Sequence, residues 1–152
     1  MILRPRIYID TSVIGGCLDD EFREHSLELM DRFAAKHYIA VVSDLTKLEL
    51  RSAPAEVRNL LVDFPHEAVE LNASSRMLAD EYLKARVITR KQIADASHIA
   101  VATICRVDVL VSWNFKHIVN LPRIHGFNSI NVKFGFPMLE IRSPREVLDY
   151  EK

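Results

Sequence analysis

Cysteine is scarce in this sequence: Cys17 and Cys105 stand alone, with no CxxC or Cys/His spacing that would suggest zinc or a redox pair. Two buried thiols are the expectation. Long hydrophobic runs are missing as well. The longest nearly apolar stretch, Ile99 to Cys105 with only Thr103 polar, is about seven residues against the roughly 20 that cross a bilayer. No membrane insertion is expected. The opening MILRPRIYID meets Asp10 before an apolar region of secretory length develops, which points to a cytoplasmic protein. Nor is there an excess of either charge. Lys plus Arg total 20 and Asp plus Glu 21, a net charge of -1, so nothing draws the whole molecule to nucleic acid and any such binding must rest on local patches. With 4 glycines and 6 prolines there is no low-complexity tract, repeat or linker.

What remains is the composition of a packed globular protein, 49% hydrophobic and 27% charged over 152 residues, long enough for one core and short for two. A single domain, 1–152, is the working reading. Arg6 to Ile9 reads as a strand leading into Asp10, and Ser26 to Lys36 carries Leu27, Met30, Phe33 and Ala34 at helical spacing. Tyr38 to Val42 is a second strand, ended by Ser43 as N-cap of a helix containing Leu45, Leu48 and Glu49. Pro54 breaks that helix or starts the next, Ala55 to Asp63. Ala68 to Leu71 reads as a third strand and Ala73 to Arg86 as a long helix.

Thr89 and Gln92 match a capping box opening a helix through Ile104, whose alanines imply close packing. Val107 to Val111, apolar apart from Asp108, suits a parallel strand covered on both faces. After Pro122 the segment Arg123 to Phe136 is polar, although Ile124, Phe127, Ile130 and Phe134 can form a helical stripe. Met138 to Ile141 reads as an edge strand, and Ser143 with Pro144 starts a last short helix. Strands alternating with helices predict an α/β fold: three layers, α/β/α, around a mostly parallel sheet with right-handed crossovers. Ligands of such sheets meet the carboxyl ends of the strands.

Polar residues follow three expected strand ends: Asp10, the segment Ser43 to Glu49, and Ser112 to Asn114. Asp95, in an early turn of the alanine-rich helix, can join them on one edge. Carboxylates brought together there would repel unless protonated or bridged by a metal. Hard oxygen ligands suit Mg2+ or Mn2+, which can activate water against a phosphodiester.

From RIYIDTSVIGG through DLTKLELR and QIADASHIAVA to DVLVSWNFKHIVN, the chain resembles the PIN domain family, especially the toxin-like, VapC-type ribonucleases of bacterial toxin-antitoxin systems. The resemblance spans most of the chain. It implies a PIN-like fold in which Asp10, Glu49 and Asp95 are the acidic metal ligands and catalytic residues, with Asn114 in the fourth position. That place is often Asp in the family. Asn114 can ligate through its carbonyl oxygen but brings no negative charge, which implies weaker metal affinity. Thr11, Ser12 and Ser112 fall where the family often has small hydroxylated residues near the metal. The resemblance further implies an RNA substrate, an antitoxin partner and a homodimer.

Each residue also has a plainer role open to it. Asp10 can cap a turn, Glu49 can pair with a surface cation, and Asp95 can complement a helix dipole. His98, three residues after Asp95, is expected to pack or make a structural hydrogen bond, since Mg2+ prefers oxygen. Trp113 can stack a base or fill core. Lys47, Arg51, Arg86, Arg90, Lys91 and Lys116 are candidate RNA contacts or simply a solvated surface. Two rival functions stay open: a PIN-like domain with weak or no activity that binds RNA or protein, and a phosphatase with Asp10 as nucleophile. The second wants an Asp where Ser12 stands.

Overall fold

A computed structural model describes residues 4–149; the first three residues of the MILRPRIYID opening and the last three of the expected 1–152 domain lie outside the described residues. The first strand, β1 (Arg6–Ile9), sends Ile7 and Ile9 to one side and Tyr8 to the other, as the two-residue period of a strand requires. In β2 (Ile39–Ser43), Ala40 and Val42 face the side of Ile7, and Val41 the side of Tyr8. With β3 (His66–Val69), β4 (Val109–Val111) and β5 (Ile141–Arg142) they form one sheet of order β3-β2-β1-β4-β5. Every pairing is parallel, for example Tyr8 opposite Val41 on one side and Leu110 on the other.

Helices cover both faces, because a central parallel strand is apolar on both. On the Tyr8 side lie α5 (Ala73–Lys84), α6 (Ile93–Ile104) and α7 (Leu121–Lys133), burying Tyr82, Ile99 and Phe127. On the other side α1 (Thr11–Gly16), α2 (Arg23–Ala34), α4 (Ala55–Asp63) and α8 (Pro144–Asp149) bury Ile14, Phe33, Val57 and Leu148. Each large side chain so buried stabilises by about 1.5–3 kcal/mol. The last helix, α3 (Asp44–Leu50), leaves the end of β2 with Ser43 accepting from the Thr46 N–H at 3.3 Å, the cap expected from sequence. The architecture is the three-layer α/β/α arrangement around a parallel sheet.

Several boundaries differ from the sequence reading. The helix α1 is additional: TSVIGG carries two glycines and little helix propensity, and burial of Val13 and Ile14 holds it. The third strand starts at His66 rather than Ala68, since its register with β2 runs from Ala40–His66 to Ser43–Val69. Val107 and Asp108 precede β4, the Asp108 carboxylate instead accepting the Arg6 N–H at 2.7 Å. The edge strand β5 begins at Ile141 rather than Met138, because Asn128 holds both backbone groups of Leu139. Thr89 bonds the Gln92 side chain and caps no backbone N–H, so a 3-10 turn, Arg90–Gln92, precedes α6. The capping box forms instead at Asn72 and Ser75. The polar segment after Pro122 is the body of α7, begun earlier by Asn120, which accepts from the Arg123 N–H.

Four helices end alike. After α2, α5 and α6 the chain turns through the left-handed region at Lys36, Arg86 and Arg106, with φ of 63°, 60° and 56°; after α7 it does so at Gly135. At each stop at least two further N–H groups reach back to the last turn, as His37 does to Arg32 O and Lys36 to Phe33 O, which satisfies carbonyls the helix leaves open. Cys17 is buried and Cys105 half-buried, both free. No helix among the described residues is long and apolar enough to cross a membrane.

Candidate active site

Between β1 and β4 the strand order reverses direction, so the loops leaving these strands diverge and open a crevice at their carboxyl ends. Asp10 leaves β1 there and is 4% exposed. Ser112, directly after β4, donates to Asp10 Oδ2 at 2.6 Å, and Ser12 donates to Oδ1 at 2.6 Å. Both serines are themselves held, since the Trp113 N–H donates to Ser12 Oγ and the Asn114 N–H to Ser112 Oγ. With their oxygens accepting backbone hydrogens, the hydroxyl hydrogens are directed at the carboxylate. Burial still pushes Asp10 above the usual carboxylate range, against the charge of His98 and these hydroxyls.

Glu49, in the last turn of α3, stands half-buried beside it. Its Oε1 accepts from Thr11 Oγ1 at 2.8 Å and lies 2.7 Å from His98 Nε2. Burial pushes Glu49 up, but the His98 contact, its charge and the Thr11 hydroxyl outweigh burial and leave Glu49 below its ordinary value. The first turn of α6 supplies Asp95. Burial raises its pKa, Asp10 and Glu49 raise it further by like charge, and His98 and His117 pull the other way. Three carboxylates from three segments of the chain therefore share one electrostatic environment.

Asn114 sits at the same edge, where its Oδ1 accepts the His117 N–H at 3.0 Å and closes the turn that follows β4. Lys47, Arg51, Arg86, Arg90, Lys91 and Lys116 are all exposed. Arg86 and Arg90 line, with Lys84, a cavity of about 510 Å³ next to α5. Trp113 is half-buried, stacked on Phe22 at 4.4 Å with its indole N–H on Ser26, which makes it a packing residue along most of its surface. Its place depends on Gly16, where a Cβ would lie 2.5 Å from Ser26 Oγ and 2.9 Å from the indole nitrogen.

Three residues of this edge received no active-site role in the sequence reading. His98 makes the structural hydrogen bond expected of it, but to Glu49 itself. Tyr8 bonds the other His98 nitrogen, and the buried Nδ1 of His117 makes no hydrogen bond among the described residues. The signals were faint. His98 lies one helical turn after Asp95, and Tyr8 is the polar-tipped residue of an otherwise aliphatic strand.

Among the described residues, no group of three His, Cys, Asp or Glu side chains is arranged to enclose a metal ion. The donor chemistry of the edge fits a hard cation all the same: three carboxylates gather there, burial raises Asp10, and burial with like charge raises Asp95, both of which a dication relieves.

No family model matches the chain, and no curated protein does. Solved structures do. VapBC2 from Rickettsia felis, bound to a DNA fragment from its promoter, is similar at 16% identity and a TM-score of 0.56, covering 91% of this chain and 98% of that one. FitAcB from Neisseria gonorrhoeae gives 16%, 0.57, 91% and 98%. The chain has a PIN-like fold. Mycobacterium tuberculosis VapC20, a Sarcin-Ricin loop cleaving toxin, shares it at 15% identity and a TM-score of 0.54, over 88% of this chain and 98% of that one. In the PIN-like fold described above, the four positions quoted from sequence, Asp10, Glu49, Asp95 and Asn114, fall at the carboxyl edge of the sheet.

Proposed function

We propose that the chain is a metal-dependent endoribonuclease that hydrolyses RNA phosphodiester bonds, with Asp10, Glu49, Asp95 and Asn114 holding Mg2+ or Mn2+. The observation that carries this reading is the convergence of Asp10, Glu49 and Asp95 on one edge, where the like charge of the first two adds to burial in raising Asp95. A bound dication would offset that charge, polarise the phosphate and lower the pKa of an attacking water. Asp10, fixed by Ser12 and Ser112, is the most rigidly held donor and anchors the site. Glu49 contributes a carboxylate kept ionised by His98 and Thr11. Asn114 contributes through whatever lone pair of Oδ1 the His117 N–H leaves, and the exposed lysines and arginines draw the RNA backbone in.

Similarity to VapBC2, FitAcB and VapC20 supports the toxin role of a toxin-antitoxin pair with a protein antitoxin as partner; a homodimer in the cytoplasm is part of the same proposal. The test is RNA cleavage by the purified protein with Mn2+ or with EDTA. Cleavage is expected with Mn2+ alone, and Asp10→Asn should lower it by about 10²–10³-fold, as loss of one preorganised electrostatic group does, without loss of the folded circular dichroism spectrum. Unchanged cleavage by Asp10→Asn would refute the mechanism. A second reading, a PIN-like domain that binds RNA or protein without cutting, is favoured by the commitment of Asn114 Oδ1 to the backbone. RNA retained but left intact in Mn2+ would select it.

A further inference from the structure

A chain of buried hydrogen bonds runs behind Glu49. Ser43 Oγ lies 2.7 Å from Tyr8 Oη, Tyr8 Oη 2.6 Å from His98 Nδ1, and His98 Nε2 2.7 Å from Glu49 Oε1. Each member comes from a different element: β2, β1, α6 and α3. Tyr8 and Ser43 are fully buried and His98 is 2% exposed, so water cannot substitute for a missing partner.

The direction of the hydrogens follows from the ends. Ser43 Oγ already accepts the Thr46 N–H, leaving its own hydrogen for Tyr8. Tyr8 then donates to Nδ1, and Nε2–H remains for Glu49. In this direction Ser43, Tyr8 and His98 Nε2 each hand a hydrogen to an acceptor, and the carboxylate of Glu49, an acceptor only, fixes the Nε2–H end. At the far end, Oε1 of Glu49 takes both the His98 and the Thr11 hydrogens, and Oε2 takes none among the described residues. The relay also ties both ends of α3, capped by Ser43 and ended near Glu49, to one imidazole. A helix of seven residues is too short to hold its own last turn in water.

We propose that His98, oriented by Tyr8, is a positioning residue that saturates Oε1 of Glu49 and so presents Oε2 as the single metal-ligating oxygen of that carboxylate. The inference rests on the ribonuclease reading for the identity of the ligand and on the hydrogen-bond chain for its geometry. A histidine acting on a carboxylate in this way governs metal affinity without touching RNA, and loss of such a partner costs about 10–100-fold in affinity or activity.

Three measurements test it. In metal-free protein, imidazole 15N NMR should find the His98 proton on Nε2; a proton resident on Nδ1 instead overturns the proposal, whatever the variants do. Calorimetric titration with Mn2+ should show His98→Leu binding about 10–100-fold more weakly, with His98→Gln, which keeps an N–H donor, recovering part of the loss and Tyr8→Phe falling between. In RNA cleavage at saturating Mn2+, His98→Leu should lower kcat and leave KM unchanged. Combined with Glu49→Ala it should add no further loss of Mn2+ affinity, because His98 acts through Glu49; additive losses, or a folded His98→Leu that binds Mn2+ as wild type does, overturn the proposal. Failure of the ribonuclease reading is distinguishable: wild-type protein would then neither take up Mn2+ nor cut RNA, which removes both.

Discussion

Asp10 and Glu49 sit on the same sheet edge and are held by opposite means. Asp10 is buried at the switch point, gripped by two serine hydroxyls, and displaced toward protonation. Glu49 is half-buried on a short helix, met by an imidazole and a threonine, and displaced toward ionisation. At Asp10 the serine hydroxyls offset only part of the burial cost, whereas at Glu49 the imidazole and the Thr11 hydroxyl outweigh it. One group therefore carries stored electrostatic cost and the other does not, and that division is what a cation would exploit.

The contrast can be broken first on the Asp10 side. Ser112→Ala removes a hydrogen bond to a buried carboxylate and strands the Asn114 N–H, so it should cost about 1.5–3 kcal/mol of stability by chemical denaturation at neutral pH in EDTA. A loss near zero would mean that the serine grip is not what fixes Asp10. Next comes Gly16→Ala, which drives a methyl into Ser26 and the indole of Trp113; about 1–3 kcal/mol is expected. Trp113 is the sole tryptophan, so its fluorescence should shift as well, and an unshifted spectrum would show that the pocket absorbs the methyl elsewhere.

The third comparison is of sign rather than size. Asp10 has a folded pKa above its unfolded one, so the wild-type protein loses stability as pH rises through the raised value; Asp10→Asn escapes that loss and should gain on wild type over the same window. Glu49 has a lowered pKa, so its contribution is full above the ordinary carboxylate value and disappears as pH falls through the lowered one. Glu49→Gln should therefore fall behind wild type as pH rises. Thermal unfolding in EDTA from acid to neutral pH reads both, and two curves of the same sign would erase the distinction between the two carboxylates.

The strand-helix alternation was readable because β1, β2 and β4 are apolar on both faces, and Asp10 stood out as the charge that ends β1. Boundaries were less legible wherever a distant partner sets them. Asn128 decides where β5 begins, and the register with β2 decides where β3 does. The helix α1 was invisible because its glycines argue against it and only burial argues for it. At the site, the four positions quoted from sequence lie on one edge, but the part of His98 depends on Tyr8, 90 residues away, and no local pattern encodes that pair. For Asn114 the residue type was legible, while its capping bond to the His117 N–H was not.

With so few glycines, the chain stops three of its four left-handed helix ends with a basic residue: Lys36, Arg86 and Arg106. A side chain there bears a backbone penalty of roughly 1–2 kcal/mol that glycine avoids, and its positive charge meets the negative pole of the helix in return. That compensation is an ionic one, screened over roughly 10 Å in 0.1 M salt. Helix termination in this molecule is thus partly a function of the medium: concentrated electrolyte should weaken what Lys36, Arg86 and Arg106 contribute at the stops after α2, α5 and α6, and Gly135 itself has no such contribution to lose.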